Sequence, residues 1–331
     1  DCHYGVINSR DYNILLKAGL KKDGLHKIFN IVNFFDFRQK ELISENLVLY
    51  PIRAIRRKNI GEAILLSLFF RNNETLAMTQ PPNSPPDIES YDGWKNYVRK
   101  NNLDVVFEAG LTNDFESLVL SSEFIITTSI TEGFGFSFLE PWTAKKMLWG
   151  RKLPDICEDF EKNGVQLDHL YTKLNIPIGW TDISRFHKKR RSCILQACCM
   201  FQHSIDETHI AESFNFATQN GVIDFGLLDE SFQKQVISHT LSRRQATDTL
   251  IRLNPFLSFL GNASDKAVLT ESNRKAVTSH YNQEAYRELL LDIYSKVVRH
   301  PVRQRIDKKR LLDRFFDLNR FSLLKWGNYA G

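Results

Sequence analysis

Ser129-Ile130-Thr131-Glu132-Gly133-Phe134-Gly135-Phe136-Ser137-Phe138-Leu139-Glu140 is the most informative stretch of this 331-residue chain. It follows a short apolar run, Phe124-Ile125-Ile126-Thr127-Thr128, that reads as a strand, and it opens a helix. Gly133 and Gly135 permit close backbone approach by a ligand. A helix start adds unpaired N–H groups and the positive end of a dipole. The expectation is an anion site at the carboxyl edge of a parallel sheet, where open α/β sheets bind ligands. Glu132 and Glu140 flank it, and carboxylates beside a phosphate site suit sugar or ribose hydroxyls, whose protons they accept in hydrogen bonds.

Working outward, the chain from residue 46 to 180 alternates apolar runs with helical patterns. Leu47 to Ile52 reads as a buried strand, and Ile60, Ala63, Ile64 and Leu68 repeat at helical spacing. Thr75 to Met78 is a second strand, ending in a loop with Pro81, Pro82, Pro85 and Pro86. A helix from Tyr91 to Asn101, a strand from Asp104 to Glu108 and a helix from Phe115 to Ser121 complete the series. Such alternation implies βαβ units and a Rossmann-like parallel sheet covered on both faces. Before it, residues 1–45 carry a strand at Tyr4 to Ile7, a helix from Ser9 to Ala18 and a strand near Phe29 to Val32. From 181 to 331 helical patterns dominate: Phe186 to Gln202, Asp229 to Leu253, Gln283 to Val298 and Ile306 to Leu318.

A basic loop, Arg53-Ala54-Ile55-Arg56-Arg57-Lys58-Asn59, leaves the first strand of this series at the same carboxyl edge. An Arg fork and a Lys point charge together neutralise a diphosphate. Arg53 and Lys58 are the candidates, while Arg56 and Arg57 read as surface. A dinucleotide-binding dehydrogenase does not fit, because GxGxxG is absent and the Gly-Phe-Gly turn follows a late strand.

These residues resemble the donor-binding half of retaining GT-B glycosyltransferases, in particular the glycosyltransferase 4 group. The resemblance rests on the strand–Arg53-x4-Lys58-Asn59 element and on Glu132-x7-Glu140 around Gly133-Phe134-Gly135. Val6-Ile7-Asn8-Ser9-Arg10 followed by Ala18-Gly19 is similar to the linker entering that domain. The fold implied is α/β, the C-terminal half of a GT-B fold: an entry segment over 1–45, a nucleotide-sugar-binding domain over 46–180 and a helical C-terminal extension over 181–331.

The resemblance implies that Arg53 and Lys58 bind the donor diphosphate and that Glu132 contacts the sugar hydroxyls. Backbone N–H groups of Gly133, Phe134 and Gly135 would hold sugar and phosphate oxygens, and Glu140 the ribose. It implies a hexosyltransferase using a nucleotide-sugar donor, with retention and without a metal or other cofactor. The acceptor-binding N-terminal domain of such enzymes is absent, so the chain reads as one piece of something longer. Two departures from the family pattern stand out: the bulky run Pro141 to Trp149, and Thr79-Gln80-Pro81-Pro82 in place of a Gly-rich turn.

Composition narrows the class. Hydrophobic residues make up 42% and charged residues 25%, as in a soluble globular protein, and no apolar run nears the ~20 residues that span a bilayer. Five cysteines, odd in number and without a CxxC pair, suggest reduced thiols in a cytoplasmic protein. Lys and Arg number 44 against 39 acids, a net charge of +5 that clusters at Arg53 to Lys58, Lys188 to Arg191 and Arg299 to Arg310. The second cluster reads as a solvated helix face, and His169 and His187 as structural. Leu153 to Phe160 holds three acids with two readings, lining the cleft or sitting in a loop turn, and the loop turn is preferred. Two N-x-S/T triplets, at Asn73 and Asn262, read as chance. The competing function is a non-catalytic binding or scaffold protein whose basic helices engage nucleic acid or anionic lipid. In the preferred reading nucleic acid is no partner, and peripheral membrane contact falls to the basic tail.

Overall fold

The structure, a computed structural model, describes residues 2–38, 40–43, 46–71, 73–261 and 266–327. The triplet at Asn262 lies outside the described residues. Nine strands occur among the described residues: β1 (Tyr4–Val6), β2 (Leu25–Lys27), β3 (Leu47–Arg53), β4 (Thr75–Gln80), β5 (Val105–Val106), β6 (Ser122–Thr127), β7 (Met147–Gly150), β8 (Asn175–Pro177) and β9 (Val222–Asp224). β3 to β7 form one parallel sheet in the order β5-β4-β3-β6-β7. β1 pairs with β2 in parallel, and β8 with β9 antiparallel.

The chain winds outward from β3 through β4 to β5, then returns to place β6 on the other side of β3. The loops after β3 and β6 therefore diverge from one point of the carboxyl edge, leaving a crevice between them. Leu47 to Tyr50 in β3 and Phe124 to Thr127 in β6 are buried, as a sheet covered on both faces requires. Helix Ile60–Ser67 follows β3, and its residues Ile60 to Leu66 are all buried. Gly61 makes that packing possible: a Cβ there would lie 2.4 Å from the Trp94 ring.

Several local expectations change. Helix Pro85–Lys100 begins in the proline cluster, because proline is at home in a first helical turn, where its missing N–H costs no intrahelical bond. Leu153 to Phe160 belongs to helix Pro154–Lys162 for the same reason. Phe29 to Val32 is not a strand: the Val32 N–H bonds to the Tyr281 carbonyl and Phe29 packs edge-on against Tyr281 and Tyr286. Asp229 to Leu253 is two helices, Glu230–Ser242 and Arg244–Leu253, broken at the extended backbone of Arg243. In the cluster Lys188 to Arg191, Arg190 is not solvated but buried, its Nη atoms bonded to Ser213 Oγ at 2.9 Å and the Leu318 carbonyl at 2.6 Å. Burial pushes its guanidinium down to about 10.

Candidate functional site

The crevice at the switch point between β3 and β6 is a cavity of about 380 Å³. The loop after β3 first turns through a single 3₁₀ turn, Arg56–Lys58, and reaches Asn59 in the left-handed region at φ 54°. A 3₁₀ turn spreads successive side chains about 120° apart, so three adjacent cations face three ways. Arg56 points back into the fold, pairing with Glu230 at 2.5 and 2.8 Å. Arg57 and Lys58 both line the cavity.

The two loops are stitched together by the core. The Tyr50 hydroxyl donates to the Lys58 carbonyl at 2.6 Å and receives the Thr128 N–H at 3.1 Å. The Thr128 hydroxyl bonds the Lys58 and Asn59 carbonyls, and the Ile130 N–H bonds the Arg57 carbonyl at 3.0 Å. Burial pushes the Tyr50 phenol up to about 12, so it remains a donor at neutral pH.

This stitching brings Glu132 against the cations. Its Oε1 accepts from Lys58 Nζ and its Oε2 from Arg57 Nη1 at 3.0 Å, while Arg57 Nη1 also donates to the Thr131 carbonyl at 2.9 Å. Glu132 is only 8% exposed. Burial alone would raise its carboxyl, but Lys58 and Arg57 hold it below the ordinary range. Glu140 sits half-buried on the same wall, and there burial prevails, raising its carboxyl although Lys58 opposes the shift.

Gly133, Phe134 and Gly135 form the rim between the two acids and line the cavity. The Phe134 side chain turns inward, edge-on to Phe160 and Tyr281, and pins the loop. Gly135 has φ 96°, and a Cβ there would press on Ile156 and Phe138 at 3.0 Å. The helix expected after this loop is reduced to a 3₁₀ turn, Phe136–Phe138, and a single turn, Glu140–Thr143, with Pro141 in it. Charge at the site therefore comes from Arg57 and Lys58 rather than from a helix terminus. The bulky run after Glu140 is core: Trp142 is fully buried, its Nε1 donating to the Phe138 carbonyl, and Met147 to Gly150 form β7.

Residues before the sheet complete the wall. Ile7 and Phe35 line the cavity, and the Asn8 side-chain amide donates to the Gly133 carbonyl at 2.8 Å. Asn8 also caps helix Ser9–Lys17, which Asp159 anchors through the Ser9 N–H and hydroxyl. Asp155 and Asp159 pair with Arg320 and Lys27 and so do not line the cleft.

The sequence thus places Lys58, Glu132 and Glu140 together, with the glycine loop between them. Arg53 does not join them: it is exposed at the end of β3 and donates to the Pro81 carbonyl at 3.1 Å, on the β4 side. Arg57, read as surface, is the cation that does. Among the described residues, no group of three His, Cys, Asp or Glu side chains is spaced to hold a metal ion. None of their helices is long and apolar enough to cross a membrane.

No family model matches the chain. It is 26% identical over 253 residues to mannosylglucosyl-3-phosphoglycerate synthase of Petrotoga mobilis, a match covering 70% of this chain and 49% of that protein. The chain therefore spans about half the length of that curated relative. Among solved structures, a glycosyltransferase from Rickettsia africae is similar with a TM-score of 0.53 at 14% identity, over 90% of this chain and 64% of that one. Sucrose-phosphate synthase from Thermosynechococcus elongatus is more distant, with a TM-score of 0.46 at 13% identity over 89% and 58% of the two chains. The chain thus shares its fold with a solved glycosyltransferase and about a quarter of its aligned residues with a curated synthase.

Proposed function

We propose that the chain is the nucleotide-sugar-binding part of a retaining glycosyltransferase, moving a hexose from a nucleoside-diphosphate sugar to an acceptor held by a further domain or partner chain. One observation carries this reading: Lys58, Glu132 and Glu140 share a single cavity at the switch point of the sheet. In this reading Lys58 neutralises the diphosphate as the bond from the sugar C1 breaks, which is where negative charge develops. The acceptor hydroxyl forms the new C1–O bond on the same face, and its proton leaves with the diphosphate. Glu132 accepts hydrogen bonds from the sugar hydroxyls, Glu140 from the ribose, and the N–H groups of Gly133, Phe134 and Gly135 serve the remaining oxygens. Lys58 and its neighbours carry the charge neutralisation, and no metal is assigned a role. The cytoplasm is the proposed compartment, because all five cysteines are free and thiols stay reduced there.

The test is calorimetric titration with UDP-, GDP- and ADP-sugars and the free nucleotides, repeated on Glu140→Ala. The Petrotoga relative is named for a mannosylglucosyl product, so mannose-bearing donors head the panel. Binding of one nucleotide family, lost in the variant, supports the reading; a flat response across the panel overturns it.

A second reading draws on the exposed cations Arg305, Lys308, Lys309 and Arg310, which lie beside the exposed Lys17 and Lys21. A binding role for this face on nucleic acid or anionic lipid predicts salt-sensitive association that Glu140→Ala leaves intact.

A further inference from the structure

We propose that Glu230 and Gln233 are positioning residues of the donor site: side by side on one helix of the C-terminal half, they grip both ends of the turn that carries Lys58 into the cavity. This rests on the donor-binding reading above and deepens it.

In a 3₁₀ turn, side chains three apart stand nearly in line. Arg56 and Asn59 therefore share one side of the turn, and neither lines the cavity that Lys58 enters. Helix Glu230–Ser242 meets that side at the same spacing, since residues three apart on a helix are neighbours too. Glu230 takes the Arg56 guanidinium on both carboxylate oxygens, at 2.5 and 2.8 Å, and Gln233 Nε2 donates to Asn59 Oδ1 at 2.8 Å.

The grip is directional and dry. The Arg56 and Glu230 side chains are 9% and 16% exposed, too little for salt to screen the pair, and Gln233 is fully buried. Burial alone would raise the Glu230 carboxyl, but its bonds to Arg56 and Ser90 hold it below the ordinary range, so the pair is ionic at neutral pH. Asp87 takes the Arg56 N–H at 2.8 Å and fixes the start of the turn through its backbone as well. The gripping helix is itself held at its first turn, where Asp229 accepts from the Ser231 and Phe232 N–H groups and pairs with Lys189.

A lysine is a point charge on a flexible stem, so its place is set by the backbone that carries it. Slack at either end of the turn moves Lys58 relative to the glycine rim, and an offset of about 1 Å in a charged contact is costly. The helical half thus acts on anion binding without touching the anion.

The experiment titrates inorganic pyrophosphate and the nucleotide-sugar panel into the full chain and into Glu230→Gln, Gln233→Leu, Arg56→Lys and Asn254→Ala. Each protein is also followed by thermal unfolding and by amide exchange at Ile130, whose N–H bonds the Arg57 carbonyl within the turn. Asn254 is the control, buried in the helical half but bonded to Asn175 and Leu250 rather than to the turn. Glu230→Gln should weaken both ligands about tenfold and Gln233→Leu about threefold, the scales of a charged and a neutral hydrogen bond, with faster exchange at Ile130. Arg56→Lys, which keeps the ion pair without the fork, should lose less than Glu230→Gln. Asn254→Ala should melt lower yet bind like the parent.

Parent-like binding in folded Glu230→Gln and Gln233→Leu overturns the proposal. An equal loss in Asn254→Ala does so too, because it marks a general loss of stability. Failure of Glu230→Gln, Gln233→Leu and Arg56→Lys alike to fold also overturns it, since the grip then serves stability alone. Nucleotide sugar bound by the parent and unmoved in the variants sinks the inference and keeps the donor reading. The expected pyrophosphate pattern with no nucleotide sugar bound does the reverse. Silence of both probes in the parent sinks both.

Discussion

Arg151 and Glu62 form a doubly hydrogen-bonded ion pair, Nε to Oε1 at 2.8 Å and Nη2 to Oε2 at 2.6 Å, with both side chains buried. Asp224 in β9 takes two further bonds from Arg151, and the Tyr171 hydroxyl donates to Glu62. The group joins the end of β7, helix Ile60–Ser67 and the helical half of the chain. Arg151→Met would leave the buried Glu62 and the half-buried Asp224 carboxylates without their cation and should cost about 3–5 kcal/mol in urea unfolding. Arg320→Ala, at the exposed pair with Asp155, should cost less than about 1 kcal/mol.

Asn59 connects that network to the site. Its amide donates to Glu62 Oε2 at 2.7 Å, its Oδ1 accepts from Gln233 at 2.8 Å, and its backbone is left-handed. Asn59→Gly keeps the backbone and loses only the bonds, whereas Asn59→Ala loses the bonds and adds strain. The alanine variant should be less stable than the glycine variant by about 1 kcal/mol in the same urea assay. Equal stabilities would show that the turn carries no strain.

The strands around this site were legible because they are buried on both faces and read as apolar runs. Leu47 to Ile52 and Thr75 to Met78 each fall short of the observed strand by only one or two residues at the carboxyl end. β7 was hidden by its length of four residues and by the polar Lys145-Lys146 before it. The cavity acids were legible from their spacing around glycines, but which of Arg53 and Arg57 lines the cavity was not. It depends on a 3₁₀ turn whose side chains diverge. Arg190 could have been found, since Phe186, Arg190, Cys193 and Ala197 follow helical spacing and all lie on the buried stripe. Glu62 could have been found too, as a lone acid within Ile60 to Leu66 that needs a buried partner. Which residue supplies that partner is set by tertiary packing, and Arg151 carries no local mark of it.

Acid should act through Glu132. Its folded carboxyl titrates below the ordinary value because Lys58 and Arg57 overcome the effect of burial. A depressed carboxyl stabilises the fold above its unfolded value, about pH 4.3, and loses that contribution as pH falls through the lower folded value. The melting temperature of the parent should therefore fall more steeply below about pH 4.3 than that of Glu132→Gln. Parallel curves would mean that the Glu132 ion pairs add nothing to stability.

Gly135 offers a way to separate loop geometry from charge. Alanine there would adopt an unfavourable φ of 96° and press its Cβ on Ile156 and Phe138, at a cost of about 1–2 kcal/mol from the backbone alone. Relief requires the Phe134 to Phe138 turn to shift, and with it the backbone rim between Glu132 and Glu140. Gly135→Ala should then weaken nucleotide-sugar binding while leaving Lys58, Glu132 and Glu140 in place chemically. Gly221, also at positive φ but with open space around its Cβ position, is the matched control. Gly221→Ala shares the backbone penalty in urea, yet should bind donor like the parent in calorimetry. A Gly135→Ala variant that binds like Gly221→Ala would show that the rim contributes no contacts to the donor.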